Sequence, residues 1–280
     1  MTVRRARALF FALLGVIVLG WLLSRFEQAM IYHPTRLSGE NPSKHGLPSE
    51  AVQISTSDGE TLEAWWIPHP EDVGPALLFF HGNAGNREDR LHNLVGLWQA
   101  GISVLIFDYR GYGGSTGRPT ELGLIRDGTA AFDWLRQKVG DRPIALFGRS
   151  LGGTVAAEVA TRRPAQGLIL ESTFTSAREM ARRVLPLPGI HLVTRSRFDA
   201  LEAVSNLTIP LLVIHGTADE LVPFEMGKRL YEAAPVAKKK FRAVEGGHHN
   251  DTYFVAGPQY YETLKAFLGS LSTHSASNSA

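Results

Sequence analysis

Residues 143–154 read Pro-Ile-Ala-Leu-Phe-Gly-Arg-Ser-Leu-Gly-Gly-Thr, and no other stretch limits the possible folds so sharply. The apolar run at 144–147 has the length and composition of a buried strand. Gly148-Arg149-Ser150-Leu151-Gly152 fits the pattern G-x-S-x-G, and residues 154–161 have helical character. Strand, sharp turn and helix in that order form a nucleophile elbow, which lifts the serine hydroxyl above the end of a sheet. The flanking glycines remove the Cβ atoms that such a tight turn has no room for. Taken alone, the pattern fits equally well a glycine-rich turn holding a solvated serine. The rest of the chain has to decide.

A chain of 280 residues suits one large α/β domain. It is 44% hydrophobic and 20% charged, enough to fill a core. A formal charge of +2, with no basic stretch interleaved with aromatics, argues against nucleic acid as a partner. Cysteine is absent, which excludes disulfides and thiolate metal sites and leaves the compartment open.

The amino terminus bears on location. Arg4, Arg5 and Arg7 precede an uncharged run at 8–24, and Arg25 closes it. Those 17 residues would span roughly 25 Å as a helix, the low end for a bilayer crossing. A signal peptide is the alternative, with Val18-Leu19-Gly20 as a weak cleavage site. The run is longer than a usual signal core and no A-x-A sequence follows it. Residues 1–25 are therefore expected to be an uncleaved single-pass anchor. Arginines on its amino-terminal side place the rest of the chain beyond the membrane, in the periplasm if the source is Gram-negative; Arg25 weakens that orientation. Residues 26–48, with prolines at 34, 42 and 48, read as a linker, and 272–280 as a disordered tail.

Between these ends lies a domain at 49–271. Segments 52–57 and 62–67 flank Asp58-Gly59, a hairpin signal. From residue 76 strands alternate with helices, which predicts a mostly parallel sheet with helices on both faces. The strands are expected at 76–80, 104–107, 144–147, 168–170, 211–214 and 241–244. In such sheets chemistry gathers at the carboxyl ends of strands. Those ends carry His81-Gly82-Asn83, Asp108-Tyr109-Arg110, Ser150, Glu171-Ser172 and His215-Gly216.

A serine hydroxyl needs an imidazole base, and the imidazole needs a carboxylate to fix its tautomer. In this architecture the order along the chain is serine, acid, histidine. Asp219 follows the strand at 211–214 and is the expected acid. Glu220 would face the other way, Asp251 lies too close to the histidines, and Glu171, at a strand end, is the competitor. The base is His248 or His249, just after the last strand. The oxyanion hole needs two backbone N–H groups. The amide of Leu151 follows the nucleophile, and the amide of Asn83 lies in the glycine-rich loop after the strand at 76–80. His81 and His215 read as structural histidines. The loop 108–115 lacks a P-loop ending and reads as the floor of the site, with Asp108 and Arg110 paired. No metal-ligand spacing appears, and the chemistry calls for no cofactor. Residues 174–209 read as a small cap, apolar on one side through Met180, Val184, Leu185, Leu187 and Ile190 and basic through Arg178, Arg182, Arg183, Arg195 and Arg197. Above Ser150 it would offer an apolar acyl or alkyl pocket; its arginines could instead face lipid headgroups or an anionic part of the substrate, or it is simply a solvated helix face.

Taken together, these motifs resemble the single-span, membrane-anchored α/β-hydrolases of the serine-aminopeptidase-like, lysophospholipase-like group, which includes depalmitoylase-type members. The likeness covers about residues 32–271. It rests on Phe80-His81-Gly82-Asn83-Ala84-Gly85-Asn86, Asp108-Tyr109-Arg110-Gly111-Tyr112-Gly113, Gly148-Arg149-Ser150-Leu151-Gly152, Glu171-Ser172-Thr173-Phe174-Thr175-Ser176, His215-Gly216-Thr217-Ala218-Asp219 and His249-Asn250-Asp251. The resemblance implies an α/β-hydrolase fold and hydrolysis of carboxylic esters, thioesters or lipids. It also implies that His249, directly before Asn-Asp, is the base, although His248 stands where the family usually has a small residue. The expected substrate is a small-molecule or lipid acyl ester. The rival readings are an amidase or peptidase using the same three residues, and a membrane-tethered binding module without catalysis.

Overall fold

The computed structural model describes residues 3–71, 74–185, 189 and 194–272. Helix α1 (Val3–Ile31) opens it and, at 29 residues, is about 43 Å long. Its stretch Leu13–Ile31 has a mean hydropathy of 1.4 and none of it is buried, so it is long and apolar enough to cross a membrane or to serve as a signal sequence. The helix continues six residues past the expected anchor end at 25, so the segment read as linker begins as helix.

Short strand β1 (His33–Pro34) and a 3-10 turn at Pro42–His45 follow. Strands β2 (Glu50–Ser55) and β3 (Thr61–Ile67) then form the antiparallel hairpin across Asp58-Gly59. Next come β4 (Ala76–Phe80), β5 (Ala84–Gly85), a 3-10 turn at Arg87–Arg90, α2 (Leu91–Gln99) and β6 (Val104–Phe107). Helix α3 (Glu121–Val139), β7 (Ile144–Arg149), α4 (Leu151–Ala160) and β8 (Gly167–Glu171) carry the chain through the elbow. Helices α5 (Ala177–Val184) and α6 (Ala200–Ser205) occupy the insertion. Strand β9 (Leu211–Gly216), α7 (Phe224–Ala233), β10 (Lys239–Val244), α8 (Thr252–Val255) and α9 (Pro258–Ser272) complete it.

Eight strands form one sheet in the order β10-β9-β8-β7-β4-β6-β3-β2. All neighbours are parallel except β3, which runs against both β2 and β6. The central strands β8, β7, β4 and β6 are buried at every position and apolar up to the Arg149 and Glu171 that end β7 and β8, because both faces are covered, as parallel strands require. Successive side chains alternate between two cores. Leu78, Phe80, Leu146 and Leu170 pack with α3, α4, α6 and α7 on one face. Leu77, Phe79, Phe147 and Ile169 pack with α2 and α9 on the other.

Two more expectations change. The insertion at 174–209 is not a cap throughout: α6 buries Ala200, Ala203 and Val204 against the sheet-flanking layer and packs on α4. Part of the expected acyl-pocket wall, including Leu187 and Ile190, lies outside the described residues. Nor do Asp108 and Arg110 pair. Asp108 is wholly buried and takes the backbone N–H of Arg87 at 2.7 Å and its guanidinium. Arg110 turns away to Asp127 on α3, with its own amide at 2.8 Å and Nε at 2.9 Å, and forks onto Asp58 at 2.9 Å. A guanidinium has five donors, and two carboxylates satisfy them better than one.

Candidate active site

Ser150 stands between β7 and α4 with φ 53° and ψ −120°. A non-glycine residue in this region carries about 1–3 kcal/mol of backbone strain, held there by its surroundings. Those surroundings explain the glycines. A Cβ on Gly148 would lie 2.5 Å from the Gly152 carbonyl oxygen. One on Gly152 would lie 2.6 Å from the Phe80 carbonyl carbon. The turn after β4 and the turn at Ser150 are thus in backbone contact, possible only because β4 and β7 are neighbours with Phe80 opposite Gly148.

Three strand ends converge here. His249, in the loop between β10 and α8, places Nε2 3.1 Å from Ser150 Oγ. Its Nδ1 lies 2.9 Å and 3.1 Å from the two carboxylate oxygens of Asp219, in the loop after β9. A carboxylate only accepts, so Nδ1 carries the proton and Nε2 is left to accept from the serine hydroxyl. All three residues are buried, at 4–8% exposure. Gly216 lets the two loops meet: a Cβ there would lie 2.6 Å from the Gly247 carbonyl carbon.

Asp219 is held from several sides. Its Oδ1 accepts the N–H groups of Leu221 at 3.0 Å and Val222 at 2.8 Å. Nε2 of His215 lies 3.4 Å from Oδ2 and 3.0 Å from the Val222 carbonyl. Burial pushes the Asp219 carboxyl up, but the contacts with His215, His249 and Val222 outweigh it and hold it well below its usual 3.8. The site therefore keeps a carboxylate ready to stabilise an imidazolium.

The competing residues are placed elsewhere. His248 is exposed and bonds Glu220 through Nδ1 at 3.0 Å; that hydrogen bond raises its pKa. Glu171 is buried with both oxygens engaged, one by Thr252 and one by the Tyr260 hydroxyl at 3.0 Å. His81 is buried, with Nδ1 2.7 Å from the Gly82 carbonyl, and burial together with the charge of Arg90 holds its pKa down to about 3. It is a neutral, structural imidazole. Asp251 takes the amide of His248 at 2.6 Å.

The loop after β4 runs past the serine, and a Cβ built on Gly82 would lie 3.7 Å from Ser150 Cβ. The amides of Asn83 and Leu151 donate to no acceptor among the described residues. Two features escaped the sequence. Arg149 is buried and donates to the His249 carbonyl at 3.1 Å, and Ile31 and His33 bond Asn83. The signal for the first was a charged residue inside a buried strand end. No group of three or more metal-ligating side chains is found among the described residues. A surface groove of about 820 Å³ between β2 and α3 shares none of these residues.

The family profile for serine aminopeptidase S33 hydrolases matches residues 72–198 and 189–252. The chain belongs to this family. The α/β-hydrolase domain-containing protein WAV2 of Arabidopsis thaliana is 36% identical over 93% of this chain and 94% of its own length. The lysophosphatidylserine lipase ABHD12 of Xenopus tropicalis is 33% identical over 80% of this chain and 64% of that protein. The Pyrococcus furiosus esterase Pf2001 superposes with a TM-score of 0.73 at 23% identity, covering 86% of this chain and 98% of its own. The fold is that of an α/β-hydrolase, and this S33 family member has esterases and lipases among its neighbours.

Proposed function

We propose that the chain is a serine hydrolase that cleaves carboxylic ester bonds, in small molecules or lipids, through an acyl-enzyme. The observation that carries the reading is the continuous chain Ser150 Oγ, His249 Nε2, His249 Nδ1, Asp219, with separations of 3.1 Å and 2.9 Å. Ser150 Oγ attacks the acyl carbonyl carbon while its proton passes to His249 Nε2. Asp219 orients the ring and stabilises its positive charge. The amides of Leu151 and Asn83 take the oxyanion of the tetrahedral intermediate. The intermediate collapses, the ester C–O bond breaks, and His249 returns the proton to the leaving alcohol. Water then attacks the acyl-enzyme with His249 as base, releasing the acid and restoring Ser150. Thioesters fit the same steps with a thiol leaving.

Two further points belong to the same reading. The apolar length of α1 supports a single-pass anchor, and the arginines before it support a hydrolase domain beyond the membrane. Carbonate extraction should leave the chain in the pellet, and release would overturn the anchor.

The test is labelling with a fluorophosphonate probe beside turnover of short p-nitrophenyl esters. The wild type should label and turn over, and Ser150→Ala should do neither. Unchanged hydrolysis by Ser150→Ala would sink the proposal. Turnover of aminoacyl anilides well above that of esters would replace it with the amidase reading.

A further inference from the structure

The segment that leaves helix α1 is built into the loop that carries Asn83. The side-chain amide of Asn83 donates to the Ile31 carbonyl, the last residue of the helix, at 2.9 Å. The Asn83 carbonyl accepts the backbone N–H of His33 at 3.0 Å and the Tyr112 hydroxyl at 2.9 Å. Strand β1 then pairs with β5 in parallel, His33 opposite Ala84 and Pro34 opposite Gly85. Thr35 donates to the Gly85 carbonyl at 3.3 Å, and Asn86 returns a bond to Thr35 Oγ1 at 2.9 Å. The side-chain NH2 and the backbone carbonyl of Asn83 are thus held by Ile31, His33 and Tyr112, while its own N–H donates to no acceptor among the described residues.

The helix end is itself fixed. Glu27 accepts the amides of Arg195 at 3.0 Å and Ser196 at 2.7 Å from the insertion. Tyr32 is buried, with its ring edge-on to Phe198. A surface linker has no need of such contacts. A loop that must present an N–H to a developing charge does, because a donor helps only when it is held in place before the reaction.

We infer that Ile31 and His33 are positioning residues: through their backbones they hold Asn83 by its side-chain amide and its carbonyl, so that its N–H faces the oxyanion at Ser150. The inference rests on the hydrolase reading above. A donor moved by about 1 Å loses up to a hundredfold in rate, whereas substrate binding elsewhere in the site is untouched.

The test uses the full-length chain in detergent. His33→Pro deletes the N–H that holds the Asn83 carbonyl, and His33→Ala, which keeps that N–H, is its reference. Tyr112→Phe removes the second donor to the same carbonyl with little change in packing. For each, active sites are titrated with the fluorophosphonate, then kcat and KM are measured on p-nitrophenyl butyrate, with inhibition by a trifluoromethyl ketone. The expected result is a kcat per titrated site about tenfold below the reference in His33→Pro and several-fold below wild type in Tyr112→Phe. KM should hold, and the trifluoromethyl ketone should weaken by the same factor as kcat. Fewer titratable sites with unchanged kcat per site would mean that the segment only stabilises the fold, and would overturn the inference. Should the wild type hydrolyse nothing and never label, the hydrolase reading falls and this inference with it.

Discussion

The guanidinium of Arg149 donates to the backbone carbonyl of His249 at 3.1 Å, across 100 residues of chain. The residue before the proposed nucleophile therefore holds the peptide of the proposed base. Beside it, Glu171 is the register partner of Arg149 on β8 and fastens Thr252 and Tyr260. The two charged side chains form a buried platform beneath the histidine loop. Tyr253 completes it, with its ring 5.6 Å from the Arg149 guanidinium.

Arg149→Met keeps the volume and removes the donor. Turnover of p-nitrophenyl esters should fall about 10- to 100-fold with KM little changed, because His249 loses its fixed distance to Ser150. Loss of the guanidinium also leaves the buried His249 carbonyl without that donor, so thermal stability should fall. Equal kcat in variant and wild type would show that the His249 loop is held by other contacts.

Ser150, His249 and Asp219 should act as a unit. Ser150→Ala or His249→Ala should each lower kcat by about 10⁴-fold or more, and the double variant should be no worse than either. His248→Ala should stay within about twofold of wild type, since its ring faces solvent and Glu220. Steady-state kinetics on the four proteins checks this. A large loss in His248→Ala alone would move the role of base to that residue.

Gly152→Ala adds one methyl group against the backbone of Phe80 and His81. Backbone cannot yield as a side chain tip does, so the variant should lose about 1–3 kcal/mol of stability and most of its labelling by fluorophosphonate. Gly269→Ala makes the comparison, because nothing lies within 4 Å of the added atom and the position is helical. Thermal melts of both variants would separate the two environments.

The Asp219 carboxyl is held below the 3.8 that it has when unpaired. A depressed carboxylate stabilises the fold fully above its unfolded value, and that contribution is lost as pH falls through the folded one. The melting temperature should therefore drop more steeply below about pH 4 in wild type than in Asp219→Asn. At neutral pH the same variant should lose about 10⁴-fold in kcat, through the wrong tautomer of His249. Parallel acid limbs in the two proteins would mean that Asp219 gains nothing from its partners.

The sheet was readable because its strands are short apolar runs closed by Gly, Pro or polar residues at their carboxyl ends. Strands 76–80 and 104–107 were placed to the residue, and β7, β8 and β9 run one or two residues further into the polar ends. Candidate groups at those ends were legible for the same reason. Their partners were not. Asp108 beside Arg110 in sequence suggested a pair, yet Arg87 comes from another loop and wins through its own amide as well as its side chain. His248 and His249 are equal by spacing. Only the course of the loop decides that one ring turns inward to Ser150 and the other outward to Glu220. The join between Ile31 and Asn83 links segments some fifty residues apart and has no local pattern.

The contact of Glu27 with the Arg195 and Ser196 amides gives α1 a mechanical character. A rod of 29 residues, gripped near one end, is a lever about 43 Å long. Rotating it by about 10° carries its free tip roughly 7 Å. In the single-pass reading proposed above, an apolar stretch longer than the bilayer core is accommodated in part by tilting. The short arm of this lever ends at Ile31, on the loop of Asn83.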